Sequence, residues 1–358
     1  MQITGVNRHM KKRVVLLCIV LGMGMCACNP GPPADEAVQT SADTETDRTE
    51  QKAETAETAA DPADGQTEQK AELKQYEDAV PVVYMTEEIS PSSMLRLYQS
   101  ADREVEGSRT AVAVAMKELT DKKCLEPALL RDLVQYVNGT LVECSADIPQ
   151  DTKTDSGFAD IAKVLQMDED GSLALPVNEG VHLKENYVGA HFSEFDGFLV
   201  ISHFHRNEVT GFGGAVKNIS IDMSSGEGKC LIYSAGNSHD KIQIAELDAI
   251  LESMAEAGKS VADALNENLL YMNVMNRFSA ECSCDGDPGQ PDVHDIGILA
   301  SADPVALDQA CVDLVYMTDG YELFIDQIEL RNGEYALEYA EEIGLGSSAY
   351  TLLSVDNW

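Results

Sequence analysis

Positive charge is scarce in this chain: 25 lysines and arginines stand against 62 aspartates and glutamates, a formal net charge of −37 over 358 residues. So acidic a protein is repelled by phosphate backbones and by anionic lipid headgroups, which excludes nucleic-acid binding. The acidity does not by itself imply cationic ligands, because acidic surfaces also serve solubility. The apolar run from Val14 to Ala27 is too short to span a bilayer as a permanent helix. There is no internal repeat, no Walker order of glycines leading to Lys-Ser/Thr and no dinucleotide fingerprint. Met167-Asp168-Glu169-Asp170-Gly171 misses the EF-hand spacing and reads as a solvated turn.

The first feature present is a signal. Lys11, Lys12 and Arg13 precede the apolar run, which ends in Met25-Cys26-Ala27-Cys28. A short apolar segment behind a basic start is the layout of a secretory signal peptide. A small residue before a cysteine is what lipoprotein signal peptidases require, and Met25 makes Cys26 the poorer site. Cleavage before Cys28 leaves a lipidated cysteine as the first mature residue. A plain cleaved signal with a chance cysteine is the alternative. Three segments are expected: a lipoprotein signal peptide over 1–27, a lipidated, disordered acidic spacer over 28–80, and an α/β domain over 81–358. The spacer is rich in Ala, Glu, Asp, Thr and Gln and has almost no large apolar side chains, so it has no core to build. The expected location is the extracytoplasmic face of the cell membrane, with the lipid anchor as the contact to the membrane.

With 44% hydrophobic residues overall, the remainder can bury a large core. From Val82 onward short β-branched runs alternate with longer amphipathic stretches, which predicts a central, mostly parallel sheet flanked by helices. Strands are expected at Val82–Met85, Thr110–Ala115, Thr140–Cys144, Phe198–Ile201, Leu269–Val274, Ile296–Ala300 and Thr351–Val355. Helices are expected from Ser90-Pro91, over Glu126–Val137 and Leu247–Leu265, from Asp303-Pro304 to Val315, and around Tyr321–Leu330 and Tyr335–Ile343. Ser202–Gly214 reads as a polar, glycine-rich loop at the end of a buried strand, where open α/β sheets bind ligands.

That loop is the first candidate for chemistry. Gly211, Gly213 and Gly214 allow close backbone approach, Lys217 supplies charge, Asn218 follows it, and His203 and His205 supply donors or acid/base groups. A tight loop with solvated charges is the alternative. The second candidate is Cys282-Ser283-Cys284-Asp285-Gly286-Asp287 with His294 nearby. Thiolates and an imidazole favour a transition metal such as zinc, iron or copper. A disulfide or free thiols in a turn-rich loop is the competing reading. Of nine cysteines, three fall in the signal region; the pairing of the others is not legible.

The stretches Phe198–Gly228, Cys282–Tyr316 and Glu341–Gly346 resemble the uncharacterised family called domain of unknown function 362. Its most specific matches are Gly211-Phe212-Gly213-Gly214-Ala215-Val216-Lys217-Asn218, Cys282 to Pro288, and Asp303-Pro304-Val305-Ala306-Leu307-Asp308. The resemblance implies no settled activity. Some relatives bear ferredoxin-like clusters, so an iron–sulfur centre is a further cofactor reading, although a four-cysteine ferredoxin run is absent here. Members usually read Lys-Gly-His where this chain has His205-Arg206-Asn207, and a Gly-Gly-Ser-Arg-type loop is missing between Cys144 and Phe158. The Gly-Phe-Gly-Gly-x-x-Lys segment is also similar to the cofactor loop of nickel-pincer lactate racemases. There a lysine anchors the cofactor, a histidine ten residues earlier moves protons, and one sixteen residues later binds nickel. Lys217 matches the lysine; Asn207 and Tyr233 occupy the histidine positions, and neither replaces imidazole at neutral pH.

The expectation is therefore a membrane-anchored lipoprotein binding a small anionic or metal-containing ligand with little or no catalysis, with Lys217 as charge partner and the Gly213 and Gly214 amides as donors. An isomerase or redox enzyme using His203 or His205, and an envelope assembly or structural factor, are the alternatives. Replacing Cys28 with Ala should prevent lipidation, leaving the protein in the soluble or secreted fraction or as an unprocessed precursor. Fractionation and mass analysis check this, and a processed, unlipidated protein retained at the membrane contradicts it.

Overall fold

A computed structural model describes residues 80–116, 125–144, 157–278 and 293–356. Cys28, the signal, the spacer as far as residue 79, and Cys282 and Cys284 lie outside the described residues. No described helix is long and apolar enough to cross a membrane.

The chain enters through β1 (Val82–Thr86), then α1 (Pro91–Ser100), β2 (Thr110–Val114), α2 (Pro127–Tyr136), β3 (Thr140–Glu143) and β4 (Val164–Gln166). The start of α1 is fixed by a reciprocal cap: Ser90 Oγ accepts from Ser93 N at 3.1 Å, and Ser93 Oγ accepts from Ser90 N at 3.0 Å. Pro91 follows in the first turn, where its missing N–H costs nothing. A small antiparallel pair, β5 (Ser172–Pro176) and β6 (Glu185–Gly189), precedes β7 (Gly197–His203). Next come a hairpin, β8 (His205–Asn207) with β9 (Gly211–Gly213), one turn of helix α3 (Ala215–Lys217), a π-type stretch over Asn218–Asp222, and α4 (Gly226–Tyr233). The long α5 (Leu247–Ala264) leads to β10 (Leu269–Met275) and β11 (Gly297–Ser301). Helices α6 (Pro304–Met317), α7 (Glu322–Leu330) and α8 (Gly333–Glu342), then β12 (Thr351–Ser354), complete the described elements.

Eight strands form one sheet in the order β12-β1-β11-β10-β7-β2-β3-β4. All are parallel except β11, which pairs antiparallel with both neighbours. The fold is thus the expected α/β class with a mostly parallel sheet. Strand alternation divides the core in two. On β7, Phe198 and Val200 face the layer holding α5 and α6, whereas Leu199 and Ile201 face α1 and α2. Both sets are fully buried, which is why these strands read as continuous apolar runs.

Three local readings are corrected. Ser202–Gly214 is a strand end and a buried hairpin rather than an open polar loop. Asn207 Oδ1 accepts from Val209 N at 2.9 Å and Thr210 N at 3.0 Å, making the turn, while Phe212 stacks on Phe204 at 5.3 Å and fixes the hairpin. Met167–Gly171 is a turn, but Met167 and Asp168 are buried, so it is only half solvated. The third is an omission: β4, β5, β6 and the helical run from Ala215 to Tyr233 were not expected. Strands of three to five residues and a helix interrupted by π-type turns leave too few repeats for periodicity to show.

Candidate functional site

The parallel strands β7 and β10 end side by side, with Ser202 opposite Asn273 and His203 opposite Val274. Beyond these ends the chain places its hairpin and then the glycine run. Gly211 has φ +84°, the left-handed region that favours glycine. Gly213 lies under the ring of His205, where a Cβ would come within 2.6 Å of Cε1. Gly214 is pressed against Asp308, whose Oδ1 would be 2.3 Å from a Cβ.

Asp308 is the centre of the arrangement. It projects from α6 onto the start of α3, where Ala215 N donates to Oδ1 at 2.8 Å and Val216 N to Oδ2 at 2.9 Å. Asn273 Nδ2, from β10, donates to Oδ1 at 2.7 Å. Two of the stretches with the most specific family likeness, Gly211–Asn218 and Asp303–Asp308, are therefore two halves of one contact. Asp303 makes a similar contact with the end of Glu341–Gly346. Asp303 Oδ1 accepts from Val305 N and Ala306 N at 2.9 Å, capping α6, and Oδ2 accepts from Ser347 N at 2.9 Å. Gly346 lies so close that a Cβ would be 2.1 Å from Asp303 Oδ1. Burial pushes both carboxyls up to about 6, against the pull of the backbone amides.

Lys217 is buried, and its Nζ donates to both Asp222 oxygens at 2.9 Å. Residues five apart on an α-helix point in different directions; the wider π-type turn over Asn218–Asp222 brings them to one side. Asn218 turns the other way, donating to Ile201 O at 3.2 Å and Ser202 Oγ at 3.0 Å, and so ties the helix to the end of β7. His203 Nε2 meets Asn276 O at 2.7 Å and His205 Nδ1 meets His203 O at 2.7 Å. A carbonyl only accepts, so these contacts fix the ring proton on Nε2 of His203 and on Nδ1 of His205. The rings stack at 5.6 Å with 7° between planes.

The structure thus brings His205 against Gly213, Asp308 against Gly214 and Asn218 to the end of β7, while Lys217 pairs with Asp222. Tyr233 ends α4 and packs half-buried against the core. Of the expected metal ligands only His294 is described; it is exposed, and its carbonyl accepts from Tyr321 OH at 2.8 Å. Among the described residues no group of three or more His, Cys, Asp or Glu is arranged to hold a metal ion. Cys144, Cys230 and Cys311 are buried; burial pushes Cys144 up to about 12 and Cys311 well above its ordinary value. Asp308, Asn273 and Asp222 were missed as parts of the site. A signal existed for the first two: an Asp in the apolar helix Val305–Val312 and an Asn in the apolar strand Leu269–Met275 each need a buried partner.

A family model described as "Domain of unknown function (DUF362)" matches residues 113–313. No curated protein matches. Among solved structures, the chain is similar to the lactate racemase apoprotein from Thermoanaerobacterium thermosaccharolyticum, with TM-score 0.41 and 11% identity over 65% of this chain and 56% of that one. It is also similar to a protein from Thermotoga maritima, with TM-score 0.38 and 14% identity over 72% of this chain and 59% of that one. The chain thus covers less than two thirds of the length of either neighbour.

Asp308→Asn should be destabilising although nearly isosteric, because the new NH₂ faces an N–H donor. Denaturant unfolding should show a loss of about 1–3 kcal/mol. The stability that Asp308 contributes is present below its ordinary value of 3.8 and is lost as pH rises through about 6. The variant should therefore show a shallower fall in stability across that window.

Proposed function

Because the chain belongs to the DUF362 family of domains of unknown function, which brings no settled activity with it, we propose its function from its own residues. It is a lipoprotein anchored through Cys28 at the extracytoplasmic membrane face, and it binds a small anionic or metal-containing ligand at the C-terminal ends of β7 and β10 with little or no turnover. The anchor rests on the basic n-region, the short apolar run and Ala27-Cys28.

The observation that carries the reading is Lys217, a buried lysine in the short helix that follows the β8–β9 hairpin, whose ammonium pairs with the partly exposed Asp222. A ligand carboxylate or phosphate can exchange for Asp222 there. The amides at the start of α3 are held by Asp308, so the lysine rather than the helix start is the anion's contact. Low turnover is supported by Asn207. Its carboxamide has no titrating group, and its oxygen is occupied by two turn amides, so it does not act as a base. The fixed tautomers of His203 and His205 favour the second reading, in which an imidazole performs proton transfer.

With L-lactate or inorganic phosphate as probe, the thermal midpoint of the full chain should rise by a few degrees at saturation, as ligand linkage requires. Lys217→Met should abolish the shift. No shift in the wild type with either probe counts against the reading. Deuterium exchange at carbon 2 of lactate should be undetectable, and its appearance would assign the histidine mechanism.

Cys282, Cys284 and His294 are proposed as a separate transition-metal or iron–sulfur site. Cys282→Ala with Cys284→Ala should remove bound metal and lower stability, since metal binding and folding are coupled. A wild-type chain that purifies without metal and shows no thermal shift with zinc or ferrous iron reassigns the pair to a disulfide or free thiols.

A further inference from the structure

His191 lies in the short 3₁₀ segment Ala190–Glu194 that follows β6. Its Nδ1 is 2.6 Å from Glu194 Oε1, and its Nε2, buried and without a hydrogen bond, is 3.1 Å from Asp170 Oδ2 and 3.8 Å from Glu169 Oε1, close enough for an ion pair once protonated. Glu194 Oε2 pairs in turn with Arg109, which precedes β2, at 2.6 Å. Glu169 and Asp170 belong to a different element, the Met167–Gly171 turn between β4 and β5. Backbone contacts join the two: His191 N donates to Met167 O at 3.1 Å and Ala190 N to Gly171 O at 3.0 Å. At Gly189 a Cβ would stand 2.4 Å from the Met167 carbonyl carbon, so the segments touch with no room for a side chain.

The charges in this cluster do not balance when the imidazole is neutral. Three carboxylates, Glu169, Asp170 and Glu194, then face one cation, Arg109. A proton on His191 adds the second cation and places it between the turn and the 3₁₀ segment. We infer that His191 is a pH-operated latch, tightening the hold of the Ala190–Glu194 segment on the Met167–Gly171 turn when its imidazole is protonated and weakening it when it is neutral.

The electrostatics agree in sign. The hydrogen bond to Glu194 holds the His191 imidazole above its ordinary value against partial burial, and the Asp170 and Glu169 charges add to this. Glu194 is held below the usual carboxylate range by His191 and then Arg109. The histidine's contribution is complete below the ordinary imidazole value and disappears as pH rises through the elevated one. On the acid side the latch survives until Glu194 takes up a proton, which happens below its ordinary value.

The turn matters because of what it carries. Asp168 is buried in it and bonded by Gln166 Nε2, and its charge helps raise the Cys144 thiol at the end of β3. Met167 N donates to Glu143 O at 2.8 Å, extending the β3–β4 ladder into the turn. Weakening the hold on the turn therefore loosens the C-terminal edge of the sheet on the β3–β4 side, independently of whether Lys217 binds a ligand.

Amide hydrogen exchange of the full chain tests the latch. After correction for the intrinsic rate, protection of the Ala190 and His191 amides should fall about threefold or more between about pH 6 and pH 9, the size expected for losing one partly exposed ion pair. His191→Gln should sit at the unlatched level throughout. Should that variant fold poorly, nuclear magnetic resonance titration of the wild-type imidazole serves instead, and Glu194→Gln should lower its midpoint. A flat wild-type profile, the same pH dependence in His191→Gln, or an imidazole titrating at or below the ordinary histidine value overturns the inference.

Discussion

The organisation of the strand ends depends on one carboxylate, that of Asp308. A helix start leaves its first amides without partners, and in a buried position each such amide costs about 1–3 kcal/mol if nothing accepts from it. Asp308 accepts from two of them and from the Asn273 side chain, joining α6, β10 and the glycine run at one point. The arrangement has a cost of its own. The carboxylate is removed from water, which pushes it up to about 6 despite three donors. The close approach also requires Gly214, since any side chain there would occupy the space of the carboxylate.

This contact changes what the glycine run can do. Glycines ahead of a helix start commonly expose amides to a bound anion. Here the acceptor is supplied from within the chain, and the positive end of α3 is already neutralised. Lys217, two residues past the helix start, is paired with Asp222 instead. Its position relative to Asp222 depends in turn on the π-type stretch, which also frees Asn218 to anchor to β7. The glycines, the lysine and the asparagine thus have three separate jobs: close approach to His205 and Asp308, pairing with Asp222, and attachment to β7.

The sheet was legible because its strands are buried on both faces and announce themselves as apolar runs, as at Phe198–Ile201 and Leu269–Val274. The helices were legible from caps, Ser90-Pro91 and Asp303-Pro304 being the clearest. The direction of β11 was not, because an apolar run does not encode strand polarity. The hairpin after β7 was hidden because its turn is built by a side chain, Asn207, rather than by an Asn-Gly pair. Gly211–Asn218 was read as a place of close backbone approach to a ligand, and the close approaches found there are to His205 and Asp308, which lie eight or fewer residues before and ninety or so after it. A glycine in a sequence reports a close approach without naming the neighbour.

Charge compensation at the strand ends also bears on how a ligand could enter. Asp308 is fully buried and holds three donors, so exchanging it would strand them in the interior. The carbonyls that orient His203 and His205 belong to the backbone and cannot leave. Asp222 differs: its side chain retains 20% of its exposure, against 6% for Lys217. An anion bound as proposed above would compete with a carboxylate of the same charge that is already tethered five residues away. That competition weakens simple monoanions relative to ligands able to make further contacts, whether through a second charge or a metal. A tethered carboxylate at Lys217 also prevents the lysine from being left as an uncompensated buried charge when the site is empty, which would otherwise cost several kcal/mol of stability.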